Sequence, residues 1–247
     1  MDHGILLLNP IAHAFTEASE KVLVPLRAAH PGWTAFLTDT NHYIHVVYMW
    51  FYMIVLILLA ILAVKSLKMV PGRLQNFLEV VIGGLKGLLI DTMGEHGMRF
   101  FPLIATLAIF ILTANLGGII PAMYSPTANM CTNAAMAIVV FMLTHIVGVS
   151  IHGPKYFKHF MGPVWWMAPI MIPIELIGHF ARPISLTMRL FGNIAGEDLV
   201  LVVLLLLVPF LVPLPMLALM IFTSVLQAFV FSLLAMMYIS GAMEEAH

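Results

Sequence analysis

The stretch FFPLIATLAIFILTANLGGIIPAMYSPTANMCTNAAMAIVVFMLTHIVGVSIHGP, Phe100 to Pro154, contains no Asp, Glu, Lys or Arg. A run of this kind cannot form the wet surface of a soluble domain, in which about 25% of residues are charged. It is long enough for two apolar helices of ~20 residues, the length that crosses a ~30 Å hydrocarbon layer. The uncharged turn AMYSPTANMCTN, Ala122 to Asn133, lies between them. A second charge-free run separates Asp198 from Glu244. Of all 247 residues 62% are hydrophobic and 9% charged, and mean hydropathy is +1.02. The chain therefore reads as an all-α multi-span membrane protein, a single membrane domain over 1–247 whose first partner is the lipid bilayer. Eleven Lys/Arg against twelve Asp/Glu leave net charge −1, so there is no basic field to attract nucleic acid. Cys131 stands alone; it reads as structural, and no metal site or cofactor is expected.

Working outward, residues 1–42 read as an external N-terminal segment. Its apolar patch, Gly4 to Leu8, is short and follows no basic residue, unlike a cleaved signal peptide. Span 1 is expected over 43–64, after an aromatic group and before Lys65 and Lys68. In 73–96, apolar residues from Leu74 to Met93 recur mostly at three- and four-residue steps among charged ones, the pattern of an amphipathic interfacial helix. Spans 2 and 3 fall at 100–120 and 134–151, helix 4 at 169–208 and helix 5 at 216–243. Lys65, Lys68, Arg73, Lys155 and Lys158 sit on alternate loops, which places those loops in the cytoplasm. Five crossings then put the N-terminus outside and the C-terminus inside.

Helix 4 carries six ionisable side chains, Glu175, His179, Arg182, Arg189, Glu197 and Asp198. Inside a bilayer such groups are expensive and face a bundle interior or an aqueous path. Glu175, His179, Arg182, Ser185, Arg189, Asn193 and Glu197 follow one another by three or four residues, so the seven share one helical face. A rise of ~1.5 Å per residue sets Glu175 about 21 Å from Arg189 on one side, and Glu197 about 12 Å away on the other. Arg189 has no acid three or four residues away on its own helix and cannot shed its charge, so its counter-charge must come from elsewhere. Helix 5 is the expected neighbour of this face. Its Ser224, Ala228, Ser232 and Ala235 form a small-residue row suited to close packing, and Gln227 is an amide that needs a partner if buried.

The segment IELIGHFARPISLTMRLFGNIAGEDL, Ile174 to Leu199, with LQAFVFSLLAMMYIS, Leu226 to Ser240, and NLGGIIPAMYSPTAN, Asn115 to Asn129, resembles subunit a of the F-type rotary ATP synthase of bacteria. The resemblance extends from Tyr43 to the end of the chain. It implies a stator subunit in the cell inner membrane that lies against a rotating ring of c subunits and offers protons two offset half-channels. It also implies contact with the b-subunit peripheral stalk and, indirectly, with the soluble catalytic sector. Arg189 would face the ring's ion-binding carboxylate, Glu175 would serve the cytoplasmic half-channel, and Asn193 and Gln227 would lie near the outer one. Helices 4 and 5 would be long and tilted.

Two positions depart from some family members, which carry a glutamate nine residues after the motif Arg and a histidine seven before the Gln. Here Asp198 and Met220 stand there, so that acid–histidine relay cannot exist. The motif favours Asp198 as the outer proton acceptor and the helical face favours Glu197; both stay open. His145 on span 3 reads as a packing histidine, with a place along the outer path as the alternative. No GxxxxGK[ST] stretch is present, so any nucleotide chemistry belongs to other chains, and the chain would be a required part of a translocase. A self-standing transporter would show internal repeats and paired broken helices, and the sequence shows neither.

Cysteines placed at Ser125 and Ser66 are expected to react from opposite faces of sealed vesicles. Labelling of both from one face would overturn the topology.

Overall fold

A computed structural model of the chain describes residues 40–65, 72–120, 123–153, 168–207 and 213–243, together with 10, 13, 14 and 17. Most of the N-terminal segment, Lys68, Lys155, Lys158, Glu244 and Glu245 lie outside the described residues. Among the described residues, six long α-helices run in order: α1 (Thr40–Lys65), α2 (Arg73–Met93), α3 (Phe101–Gly118), α4 (Met130–His152), α5 (Ala168–Leu207) and α6 (Pro213–Met243). Short 3-10 turns, Glu95–Phe100 and Pro126–Ala128, precede α3 and α4. Among the described residues, five helical segments are long and apolar enough to cross a membrane, and α2 is not one of them. The protein is an all-α, multi-span membrane protein.

Local chemistry sets the helix ends. Asn129 caps α4, its side-chain oxygen accepting from the Cys131 amide at 2.8 Å, so the helix starts at Met130, ahead of the apolar run from Ala134. Prolines at positions 213 and 215 occupy the first turn of α6, where a missing N–H costs nothing. Gly94 ends α2 at φ 68°, and Gly153 ends α4 at φ 57°, a backbone region that side chains disfavour.

α6 is the hub, touching α2, α3, α4 and α5. Its small-residue row is buried at Ser224, Ala228, Ser232 and Ala235. α3 makes the broadest contact with α6 and buries Ala105, Ala108 and Ala114, small side chains that let helices approach. One core cluster joins Tyr48 and Tyr52 of α1 to Phe110, Val140, Leu190 and Phe231. A second gathers Leu89 and Met93 of α2 with Phe100, Ile104, Met236 and Ile239. Only the second half of α2 is so anchored; Phe77 and Val80 of its first half are exposed.

Hydroxyls inside the spans have few partners other than their own helix. Thr113, Thr144, Ser224 and Ser232 each donate to the carbonyl four residues earlier, at 2.6–2.8 Å. Much apolar surface stays uncovered by the chain itself, with Leu206 81% exposed and Ile177 68%. In water this would be prohibitive; in lipid it is the expected exterior. The 37-residue segment Met171–Leu207 is about 55 Å long, so it fits a ~30 Å hydrocarbon layer only when steeply inclined.

Gly117 of α3 lies where a Cβ would run into the Tyr52 phenol of α1. Gly117→Val is expected to cost about 1–3 kcal/mol by overpacking. The check is a lowered thermal midpoint of the solubilised protein, partly regained when Tyr52→Ala is added.

Candidate functional site

The site is built on α5, and its pattern is a row of buried apolar residues displaced by one position from a row of polar ones. Leu186, Leu190 and Ile194 are buried, while Ser185, Arg189 and Asn193, each one residue earlier, are exposed. One residue is ~100° around a helix, so the polar row runs along the border of the packed face. Beyond it lie the exposed apolar residues Ile177, Ile184 and Met188. The single face expected from the spacing therefore divides: its centre is open, and its two ends turn towards the chain's own helices.

At the centre, the Arg189 guanidinium reaches only as far as the Ser185 hydroxyl, at 3.5 Å. Among the described residues no carboxylate pairs with it. One turn on, the Asn193 amide donates to Gln227 Oε1 of α6 at 2.9 Å. Gln227 is 2% exposed, and this bond supplies the partner its burial requires. α6 is thus the polar neighbour of α5 at this level, while α4 makes the broader contact with α5.

Towards the start of α5, Glu175 lies 3.4 Å from the buried His179. The His179 ring meets the His145 ring of α4 edge-on at 5.3 Å between centroids. His145 therefore stands on the Glu175 side of Arg189. The Arg182 guanidinium lies over the Tyr238 ring of α6 at 5.4 Å.

At the other end, Glu197 and Asp198 are both half-buried but point to different neighbours. Glu197 lies against Thr223 of α6. Asp198 lies near Tyr124, in the turn before α4, whose phenol is pushed above its ordinary value by burial first and by the Asp198 charge second. In and beside that turn is a polar cluster whose contacts the sequence pattern does not reveal. Thr127 donates to Asn115 Oδ1 at 2.6 Å, and Asn133 donates to the Thr127 carbonyl at 2.7 Å. Asn115, Thr127, Thr132 and Asn133 are all buried, and Pro126–Ala128 packs on α5. The signal was present in the sequence as a turn rich in Ser, Thr and Asn without a single charge.

No group of three metal-ligating side chains occurs among the described residues. Along α5, Glu175 and His179 precede the two guanidinium groups of Arg182 and Arg189, and Glu197 and Asp198 follow them.

A family model described as ATP synthase A chain matches residues 46–240. An ATP synthase subunit a of Trichlorobacter lovleyi is 55% identical over 218 residues, covering 85% of this chain and 95% of that protein. One from Geotalea uraniireducens is 52% identical over 235 residues, covering 95% and 98%. A protein named ATP synthase subunit a 1, from Syntrophotalea carbinolica, is 49% identical over 250 residues and is covered in full, as is this chain.

Asn193→Ala leaves the buried Gln227 oxygen without its donor and is expected to cost about 1–3 kcal/mol. Adding Gln227→Leu removes the stranded group, so the double variant is expected to unfold at a higher temperature than Asn193→Ala alone.

Proposed function

The chain belongs to the ATP synthase A chain family, and from that premise we propose that Arg189 is the fixed charge against which a rotating c-subunit ring is driven by protons. Membership makes the chain a membrane subunit of ATP synthase, in the proton-translocating sector of the complex, and ties it to proton transport and ATP synthesis. The finer reading assigns two offset half-channels, one on either side of Arg189, with the N-terminus external and the C-terminus cytoplasmic. The ring, the b-subunit peripheral stalk and, indirectly, the soluble catalytic sector are the proposed partners.

One observation carries the reading. Arg189 sits in the middle of a helical face that the described residues leave exposed, and among them no acid pairs with it. A permanent cation facing lipid there costs at least ~2.5 kcal/mol. An opposing carboxylate on another chain removes that cost.

The mechanism follows from electrostatics. A ring carboxylate travelling through lipid has to be protonated, because the bare charge is costly there. Opposite Arg189 the ionised form is favoured by the guanidinium. During synthesis a proton then leaves by the Glu175 side, through a path in which His179 and Ser185 take part. A new proton arrives by the outer side, where Glu197 or Asp198 accepts it and Asn193 and Gln227 hold their amides beside the path. Because Arg189 keeps its charge, a proton cannot pass straight from one half-channel to the other, and transport is coupled to rotation.

Arg189→Ala is expected to abolish ATP-driven pumping in reconstituted complexes and to raise passive proton leak. Arg189→Lys should fail as well, since an ammonium on a flexible stem presents a different geometry and can lose its proton in an apolar site. Wild-type pumping by Arg189→Ala would overturn the proposal.

A further inference from the structure

We propose that the cleft between the turn Glu95–Phe100 and the ends of α2, α4 and α6 binds the phosphate headgroup of an anionic phospholipid, gripped by Arg99. The inference goes beyond the proton path and does not depend on the role given to Arg189. The cleft has a volume of ≈ 320 Å³, within the range of about 300–1,000 Å³ of small-molecule sites. It lies where three helices end together, and Lys155 and Lys158 follow α4 in the sequence. On the topology proposed above, that is the cytoplasmic boundary of the membrane.

Three side chains with free hydrogen-bond donors line the cleft, and no carboxylate does. The Arg99 guanidinium rests on the Phe100 ring, 5.3 Å from its centroid, and its Nε donates to the His96 carbonyl at 3.4 Å. These contacts orient the fork, and its two terminal nitrogens have no acceptor among the described residues. Asp91 and Glu95, the acids nearest to it in sequence, are exposed, lie outside the lining and form no ion pair with it. The His96 ring carries at least one N–H in either protonation state, and it too has no partner among the described residues. Ser240 differs from Ser224 and Ser232 of the same helix, which donate to carbonyls of α6, because its hydroxyl makes no such bond. The Thr92 hydroxyl, by contrast, is committed to the Leu88 carbonyl at 2.8 Å. Free donors around one space, with no acid among them, select an anion, and a guanidinium fork matches the paired oxygens of a phosphate.

The remaining walls indicate where the phosphate comes from. Met93, Ile151 and Met243 stand beside the donors. A free phosphate would leave these side chains in water, whereas a phospholipid covers them with its glycerol and the first methylenes of its acyl chains. Nothing in the lining would meet the ammonium of a zwitterionic headgroup, so an anionic lipid is favoured, as in other basic pockets between spans at a cytoplasmic leaflet. Held there, the headgroup links the turn after α2 to α6, next to the core in which Leu89 and Met93 meet Met236 and Ile239.

The test uses whole complexes in phosphatidylcholine vesicles that contain a photoactivatable phosphatidylglycerol with its reactive group beside the phosphate. Peptides that include Thr92–Arg99 or Ser240–Met243 are expected to be labelled. Arg99→Gln should cut this labelling about tenfold, the effect of losing one charge-assisted pair, while Arg73→Gln at the other end of α2 should leave it unchanged. Arg99 is exposed, so these complexes are expected to assemble and to pump protons at the wild-type rate. Ser240→Ala is a smaller change that should cut labelling about threefold, and it carries the test if Arg99→Gln does not assemble. Unchanged labelling in these variants, or equal labelling by a matched phosphatidylcholine probe, would overturn the site. Complete displacement of the probe by millimolar inorganic phosphate would also overturn it and assign the cleft to the free anion. Labelling that appears only when Glu244 and Glu245 are both replaced by Gln would overturn it in favour of the chain's own carboxylates.

Discussion

A guanidinium cannot be neutralised in a protein, and here one is held in the middle of a membrane-spanning helix with no acid beside it among the described residues. The rest of the architecture accommodates that fact. Leu186, Leu190 and Ile194 anchor α5 on the adjoining face, so Arg189 has a fixed place. The Asn193–Gln227 bond locks the level one turn away to α6. α6 is itself held by four other helices, so the cation is mounted on a rigid body even though its own face is open.

The fold was legible because a bilayer admits few solutions. With no water available, backbone groups bond within helices, and charge-free runs longer than ~18 residues mark them. The site was legible in part. Steps of three and four residues brought Glu175 through Glu197 onto one helix face, and the isolation of Arg189 could be read from its neighbours in sequence. Periodicity gives the direction of a side chain but not what stands opposite. It could not show that His145 of α4 meets His179, or that the donor for Gln227 is Asn193, because those contacts join residues 34 positions apart in both cases. The turn from Tyr124 to Asn133 was read for its lack of charge, and its buried hydrogen bonds depend on the fold closing over it.

The polar groups in the spans follow one rule at two levels. Isolated hydroxyls bond back to their own helix, a local solution that asks nothing of a neighbour. Asn193 and Gln227 are matched across helices, and His145 does both, its Nδ1 on the Phe141 carbonyl of its own helix and its ring against His179 of α5. These cross-helix pairs fall on the flanks of the α5 polar row, and the matching that satisfies burial is also what arranges the proton carriers.

The uncovered face of α5 also bears on how the subunit comes into being. The membrane must accommodate a cation and a broad apolar flank that the described residues do not shield. On the proposed function, the newly inserted subunit is an incomplete object whose energy falls on docking, and assembly is drawn forward by the same charge that is proposed to resist the slip of protons.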